Sequence, residues 1–235
     1  MSNVVATLRG NGESYLVEGS GDTDYGPFTA DVDIFTNRGP LEIAVNPGTR
    51  FADIGITGRV RQTSAGPFAG ELAADGAGVS GNVSLSAAGA YQRAVLALTA
   101  RDARLPGPAG LVIGRAIVSA DMVLAETPQV VADIQIAGAR MNQLQIVAAR
   151  AKVDYRGGRG SARVMAEGRN GFPFRIAANA ALQPDLWRIA LDGRANGIDF
   201  KTRNPARILP QNAQYRLMPT TIDLSRGTIQ LAGSY

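Results

Sequence analysis

A two-residue alternation of apolar and polar side chains runs through most of this 235-residue chain. It is clearest in Phe172–Leu182, where Phe174, Ile176 and Ala178 occupy every second position. Successive side chains of a β-strand point to opposite faces, so a run of this kind predicts a strand with one apolar face. Similar runs recur along the chain, for example in Phe28–Ile34.

Turn-forming residues separate the alternating runs at intervals of roughly 10 to 20 residues. The chain contains 28 Gly and 12 Pro, and pairs such as Asn196-Gly197 favour tight hairpins. The last stretch, Thr221–Tyr235, is a predicted hairpin with two alternating segments around Arg226-Gly227. The spacing predicts roughly 14 to 16 strands joined mostly as an antiparallel meander, which is an all-β fold.

Two segments have a competing helical pattern. Met141–Tyr155 places apolar residues at near-helical spacing, and Tyr91–Arg104 is rich in Ala, Leu and Arg. Both segments also fit the period of two, as Leu96, Leu98 and Ala100 illustrate. We therefore predict strands in both.

The composition removes most classes of catalytic and metal site. The chain has no His and no Cys, which excludes His-based triads, thiol catalysis and Cys/His zinc sites. Asp31 and Asp33 share one face of a predicted strand, and a solvated face is the simpler interpretation of them. Asp22–Asp33 lacks the Gly and Glu positions of an EF-hand calcium loop. We predict no enzymatic activity, no cofactor and no metal site.

The charge pattern argues against a nucleic-acid partner. The chain has 24 Lys and Arg against 20 Asp and Glu, a formal net charge of +4. Its arginines are scattered singly along the sequence, whereas nucleic-acid binding uses clustered cations with stacking aromatic residues. A mild attraction to anionic lipid headgroups is more compatible with this pattern.

The apolar side chains are mostly small or β-branched, and only 6% of all residues are aromatic. Few large residues are available to fill the centre of a compact sandwich or barrel. We predict a single repetitive segment over residues 1–235, an elongated sheet about 70 Å long at ~4.8 Å per strand. It is expected to curve into a U-shaped, taco-like hydrophobic groove. The predicted groove residues are Ile54, Ile56, Val83, Leu85, Val118, Met122, Leu124, Ile134, Ile136, Leu144, Ile146, Phe174, Ile176, Ile189, Leu191, Ile222, Leu224, Ile229 and Leu231.

Two segments, Pro205–Tyr235 and Ala94–Pro106, carry a family resemblance. Their alternating Ala, Val, Leu and Ile strands with Gly-closed hairpins resemble the TamB branch of the AsmA-like envelope proteins of Gram-negative bacteria. The resemblance is one of texture and extends over most of the chain. It implies a taco-like β-groove that conducts phospholipids between the inner and outer membranes. It also implies a role in outer-membrane protein assembly with a partner barrel.

The resemblance further implies a periplasmic location and an inner-membrane anchor helix. Met1–Thr7 has neither the basic nor the apolar region of a signal peptide, and Gly110–Val118 is far shorter than the ~20 residues of a membrane helix. We therefore expect this chain to be a shaft segment of a larger envelope protein whose anchor lies outside it. The expected partners are phospholipids and, by resemblance, an outer-membrane barrel.

Two other functions stay open from the residues alone. An outer-membrane β-barrel would share the period of two and a terminal aromatic residue such as Tyr235, although aromatic girdles are missing. A right-handed β-helix adhesin or polysaccharide-acting protein would need regular coils and an acidic cluster, and it would pair its strands in parallel.

Overall fold

A computed structural model describes residues 2–23, 26–37, 39–105, 110–211 and 214–234. Within these ranges every helix or strand element is a β-strand, and the strand pairs are antiparallel. The prediction of an all-β antiparallel meander is confirmed. Tyr235, the terminal aromatic residue that an outer-membrane barrel would share, lies outside the described residues. The chain divides into two compact units, Met1–Ala125 and Glu126–Tyr235.

Each unit is a meander in which successive strands lie side by side. The described part of the first unit contains β1 (Ser2–Gly10), β2 (Ser14–Thr23), β3 (Gly26–Phe35), β4 (Glu42–Val45), β5 (Arg50–Phe51), β6 (Ile54–Gln62), β7 (Phe68–Gly76), β8 (Val79–Ala88), β9 (Tyr91–Leu105) and β10 (Leu111–Leu124). That of the second unit contains β11 (Gln129–Met141), β12 (Leu144–Arg156), β13 (Arg159–Asn170), β14 (Phe172–Leu182), β15 (Trp187–Ala195), β16 (Ile198–Thr202), β17 (Ala206–Gln211), β18 (Gln214–Leu224) and β19 (Gly227–Ser234).

Tight turns built on positive φ angles join several of these strands. Asn196 and Gly197 have φ values of 50° and 80°, and Gly157 and Gly158 have 59° and 78°. Two consecutive positive values are typical of the type I′ turn, whose twist matches that of antiparallel neighbours. These turns connect β15 to β16 and β12 to β13, at turn residues that the sequence predicted.

One strand position in each unit is filled by two short strands. β4 and β5 both pair with β3 and β6, and Asn46–Thr49 separates them. β16 and β17 likewise both lie between β15 and β18, separated by Arg203–Pro205. Pro47 and Pro205 have no N–H to donate to a neighbouring strand, so each position is interrupted there. The described chain thus has nineteen strands, more than the roughly 14 to 16 predicted from turn spacing.

The two segments with a competing helical pattern are strands, as predicted. Tyr91–Leu105 forms β9, which pairs with β8 and β10. Leu144–Arg156 forms β12, which pairs with β11 and β13. Ladder hydrogen bonds on both sides and cross-strand side-chain contacts outweigh the local preference of Ala, Leu and Arg for helix.

Large apolar side chains are not fully buried in either unit, as far as the described residues show. The buried apolar residues are Val60 and six alanines, namely Ala44, Ala94, Ala100, Ala103, Ala116 and Ala139. A β-sandwich instead buries large side chains between two sheets. The substantial contacts between strands are those of hydrogen-bonded neighbours. The strands are therefore held together by their backbone ladders and by side-chain contacts along each face.

The close approach of neighbouring backbones can be tested by a substitution at Gly70 in β7. It has φ of +148°, where residues with side chains are strained, and an added Cβ would overlap the carbonyl oxygen of Arg59. Gly70→Ala is expected to lower the free energy of unfolding by about 2 kcal/mol or more. Urea denaturation followed by circular dichroism measures this change.

Gly233→Ala in β19 is the matched control. In the described structure, no heavy atom lies within 4 Å of a Cβ added at Gly233. We expect its unfolding free energy to change by no more than about 0.5 kcal/mol. Equal losses in the two variants would contradict the close backbone approach at Gly70.

Candidate functional site

The strand register determines which side chains share a face. Residues directly opposite each other in an antiparallel pair point to the same side of the sheet. In the second unit, Ile134 lies opposite Ala151, Ala151 opposite Val164, Val164 opposite Ala178, and Ala178 opposite Leu191. One face can be followed in this way from β11 to β19. We call it the apolar face of the unit, and the opposite side the charged face.

The apolar face of the second unit contains all the predicted groove residues of that unit. They are Ile134, Ile136, Leu144, Ile146, Phe174, Ile176, Ile189, Leu191, Ile222, Leu224, Ile229 and Leu231. All are half-buried except Ile229 and Leu231 on the last strand, which are exposed. The register therefore brings these residues together on one surface.

A β-bulge keeps Leu144 on that face. In β12 the stretch Ile146–Ala148 faces only two residues of β13, so Val147 is an extra residue. On the other side of the bulge, Gly138 in β11 has φ of 71°. The alternation shifts by one residue here. Ile146 is half-buried before the bulge, Ala148 is exposed, and Ala149 is the next half-buried residue. Without this shift, Leu144 would point to the charged face.

The first unit has an apolar face of the same kind. It contains the remaining predicted groove residues, Ile54, Ile56, Val83, Leu85, Val118, Met122 and Leu124. Its strand β9 has a similar shift, since Ala100 and Ala103 are both buried while Asp102 between them has φ of 49°. The surface again follows the register and not the strict alternation of the sequence.

Neither apolar face carries an ionisable Asp, Glu, Lys or Arg in the described strands, apart from the exposed bulge residue Asp102. Hydrogen-bonding groups on the faces are neutral, such as those of Gln92, Asn170 and Thr202. Burying a charge without a partner is far more costly than burying a neutral polar group. These faces are therefore suited to contact with apolar material.

The charged faces carry ion pairs between neighbouring strands. Arg203 Nη2 lies 2.6 Å from Asp223 Oδ1. Glu42 is only 2% exposed, and its carboxylate lies 3.5 Å from Arg59 and 2.5 Å from Arg61. The strand ladders thus segregate charge on one side and apolar side chains on the other.

The apolar faces are incompletely covered by the described residues. The accessible surface of the chain is 14671 Å², whereas two separate globular units of half its mass would expose about 12,200 Å² in total. Part of the excess is apolar, since Leu124, Val164 and Ile198 are 58%, 41% and 46% exposed. Covering such surface is worth roughly 25 cal/mol per Å². A ligand or partner that covers these faces would therefore bind favourably.

The apolar face of the second unit has a shallow region that the sequence prediction missed. The middle of β12, β13 and β14 on this face is rich in alanine, namely Ala149, Ala151, Ala162, Ala166, Ala178 and Ala180, with Val153, Val164 and Ile176 among them. Larger residues flank it, Ile134 and Ile136 on β11 and Ile189 and Leu191 on β15. Because alanine extends less far from the sheet than isoleucine or leucine, this region is a trough, which we call the alanine trough.

Aromatic residues also lie on this face outside the predicted set. Trp187 and Tyr215 stack at a tilt, with ring centroids 5.2 Å apart. Trp187 is opposite Leu182 in β14 and Ile208 in β17. The alternation that selected Ile189 and Leu191 includes Trp187 two residues earlier, so the sequence contained the signal. Trp187 therefore packs in the apolar face.

A cavity of about 1090 Å³ opens on the charged face of the second unit. Its charged lining residues are Arg150, Glu167, Arg175, Asp192, Arg194, Asp199, Lys201 and Asp223. The four basic and four acidic groups balance, and Arg175 pairs with Glu167 at 3.7 Å and Arg194 with Asp199 at 3.6 Å. Equal numbers of positive and negative groups, six of the eight in ion pairs, are typical of a solvated sheet face, so the apolar face remains the stronger candidate site.

Asp31 and Asp33 hold a loop in place. The side-chain amide of Asn46 donates to Asp31 Oδ1 at 3.0 Å and to Asp33 Oδ2 at 2.9 Å. Asp24, within the stretch compared with a calcium loop, lies outside the described residues. Among the described residues no three His, Cys, Asp or Glu side chains are grouped to hold a metal ion. No helix in the described part of the chain could span a bilayer.

Comparison with known proteins gives no relative for this chain. No family model, no curated protein and no solved structure matches it. The resemblance to the TamB branch therefore stays a prediction, and function is inferred from the surface itself.

Asp133 on the charged face is expected to stay ionised at a pH where an ordinary aspartate is already protonated. Its Oδ2 accepts a hydrogen bond from Arg150 at 2.8 Å and lies 3.1 Å from Lys152 Nζ. The Arg150 hydrogen bond, with help from Lys152, lowers the pKa of Asp133 from 3.8 to about 2. A depressed folded-state pKa contributes stability above the unfolded value of about 3.9 that is lost as pH falls toward about 2.

Carbon-13 NMR titration of the Asp133 carboxyl measures this pKa directly. We expect a midpoint of about 2 in the native chain and a higher midpoint in Arg150→Gln. Arg163→Gln, which removes a neighbouring charge that does not pair with Asp133, is the control. A midpoint that Arg150→Gln leaves unchanged would show that this hydrogen bond does not lower the pKa.

Proposed function

We propose that this chain binds the acyl chains of phospholipids on its apolar faces and shields them from water, as a non-enzymatic segment of a lipid-conducting β-groove. The observation that carries the proposal is the strand register, which leaves in each unit an incompletely covered apolar surface whose only ionisable side chain of Asp, Glu, Lys or Arg in the described strands is that of the bulge residue Asp102. An acyl chain has no polar group that needs a partner. It is therefore the lipid part that such a surface accommodates best.

The alanine trough supports an acyl chain in particular. The trough lies on β12, β13 and β14. Ile134 in β11 flanks it on one side and Leu191 in β15 on the other. Neighbouring strands are about 4.8 Å apart, so the flanking strands are far enough apart for an extended hydrocarbon chain to lie between them. Each methylene taken out of water contributes about 0.8 kcal/mol.

The same surface explains why a bound chain could move. Hydrogen bonds and ion pairs fix a ligand at one position, whereas dispersion and the hydrophobic effect are non-directional. A face of Ala, Val, Ile and Leu offers an acyl chain many positions of similar energy. Such a surface favours sliding over tight, specific binding, which suits a conduit better than a storage site.

The wider setting of the proposal comes from the resemblance to the TamB branch. In that setting the chain is part of a periplasmic bridge between the inner and outer membranes, anchored by a segment outside it. It supports outer-membrane biogenesis and protein assembly, with an outer-membrane barrel as partner. The antiparallel pairing of the described strands differs from the parallel coils of a right-handed β-helix.

Two adjacent alanines in β14 test which face binds lipid. Ala180 lies on the apolar face opposite Ala162 and Ile189, and Ala181 on the charged face opposite Arg188. Ala180→Asp is expected to weaken binding of a fluorescent phospholipid by about tenfold or more, because it places a charge beneath the acyl chain. The measurement is a fluorescence titration of the full chain.

Ala181→Asp is the control, with the same substitution one residue away. We expect it to bind the fluorescent phospholipid as the native chain does, since the charged face already carries carboxylates. Circular dichroism would establish that both variants are folded. Equal lipid binding by the two folded variants would rule out the apolar face as the binding surface.

Photo-crosslinking in cells provides a second test with a matched pair in β15. A photoreactive residue at Leu191, on the apolar face, is expected to form phospholipid adducts. The same residue at Ala190, on the opposite face, is expected to form few. Mass spectrometry of the purified protein identifies the adducts. The absence of lipid adducts at Leu191, or equal yields at both positions, would contradict the proposal.

A further inference from the structure

The register places two arginines of the second unit directly opposite each other without an acidic partner. Arg188 in β15 lies opposite Arg207 in β17, and both are exposed on the charged face. Side chains in this relation have Cβ atoms about 5 Å apart, and like charges there are destabilising. Among the described residues neither arginine has a carboxylate within 4.0 Å.

A third arginine lies on the next strand. Arg216 in β18 is opposite Leu209, two residues along β17 from Arg207, and it too is exposed. No ion pair of Arg216 is found in the described part of the chain. Three unneutralised guanidinium groups therefore lie on β15, β17 and β18. We call these residues the arginine cluster.

Another cross-strand arginine pair in the same unit is neutralised by carboxylates, which the arginine cluster lacks. Arg175 in β14 lies opposite Arg194 in β15, but Glu167 is 3.7 Å from Arg175 and Asp199 is 3.6 Å from Arg194. In that pair each positive charge has its own carboxylate. The arginine cluster has the same strand geometry without the anions.

We propose that the arginine cluster is a binding site for a phosphate group. The guanidinium fork matches the oxygens of phosphate, and a phosphate anion between Arg188 and Arg207 would convert their repulsion into charge-assisted hydrogen bonds. Arg216 would supply additional donors. The phosphate is either that of a lipid headgroup or free phosphate in solution.

The position of the cluster is compatible with both sources. Arg188 follows Trp187, the first residue of β15, which stacks with Tyr215 on the apolar face. Trp and Tyr are common where apolar and aqueous surroundings meet. A lipid at this end of the strands could therefore place its acyl chains on the apolar face and its phosphate beside Arg188. Free phosphate would reach the same exposed arginines from solvent.

The first unit contains a second pair of the same kind. Arg101 in β9 lies opposite Arg115 in β10, and both are exposed. Neither has a carboxylate within 4.0 Å among the described residues. A third exposed arginine, Arg104, lies on β9 near this pair, but the adjacent aromatic pair is lacking, so we expect it to bind phosphate more weakly than the arginine cluster.

The test uses the full chain with the double variant Arg188→Gln/Arg207→Gln. The control, Arg175→Gln/Arg194→Gln, removes the same charge from the neutralised pair. One measurement is thermal unfolding in inorganic phosphate against chloride at equal ionic strength, since a ligand of the folded state raises its stability. The other is flotation with phosphatidylcholine vesicles, with and without added phosphatidic acid.

We expect the cluster variant to lose about tenfold or more in phosphate affinity, while the control keeps it. A loss of stabilisation by inorganic phosphate with unchanged flotation would identify free phosphate as the ligand. A loss of flotation specific to phosphatidic acid would identify the lipid headgroup. Equal losses in both double variants, or no response of the native chain to either probe, would overturn the proposal.

This site does not depend on the proposed binding of acyl chains. Ala180→Asp is expected to keep the response to inorganic phosphate, because the substitution lies on the other face of β14. A chain that responds to phosphate but fails to bind fluorescent phospholipid would therefore remove the proposed function and leave the arginine cluster intact.

Discussion

The register of the backbone ladder is the constraint on which this structure depends. Side chains alternate between two faces, so a slip by one residue would exchange the entire contents of those faces. In β14 such a slip would bring Arg175 to the side now occupied by Ile176, among the leucines and isoleucines of its neighbours. The free energy of burying unpaired charge opposes that exchange. Charge segregation and register thus reinforce each other within each unit.

Interruptions of the ladder preserve this separation. The extra residue Val147 and the positive φ of Gly138 occur side by side in β12 and β11, so both strands change phase at the same level. A bulge in only one of them would place apolar side chains beside charged ones. The split positions at Pro47 and Pro205 have a comparable effect, because each pair of short strands keeps its neighbours in register across the break. The bulge and the split strands thus keep the apolar and the charged side chains on separate faces.

The sequence predicted this surface well where strict alternation holds and less well where it fails. Ile176, Ile189 and Leu191 follow from the period of two alone. Leu144 was assigned to the same surface although the alternation reverses between it and Ala149, and only the bulge reconciles them. The alanine trough was missed because a single alanine in the sequence does not indicate how deep the surface is at that point. The depth depends on the size of the cross-strand neighbours. The strand count was low in part because Pro205 divides a position that turn spacing treats as a single strand.

The same reasoning explains why the arginines looked scattered in the sequence. Arg188 and Arg207 are separated by two turns and a strand, and no local pattern connects them. Only the pairing of β15 with β17 brings them together. A face without charge, such as the alanine trough, has no means of distinguishing one phospholipid from another, since acyl chains are shared among them. Any preference for a headgroup must therefore come from charged side chains near the strand ends. Under the proposed function, the cross-strand arginines beside Trp187 would supply such a preference without a charge in the path of the acyl chain.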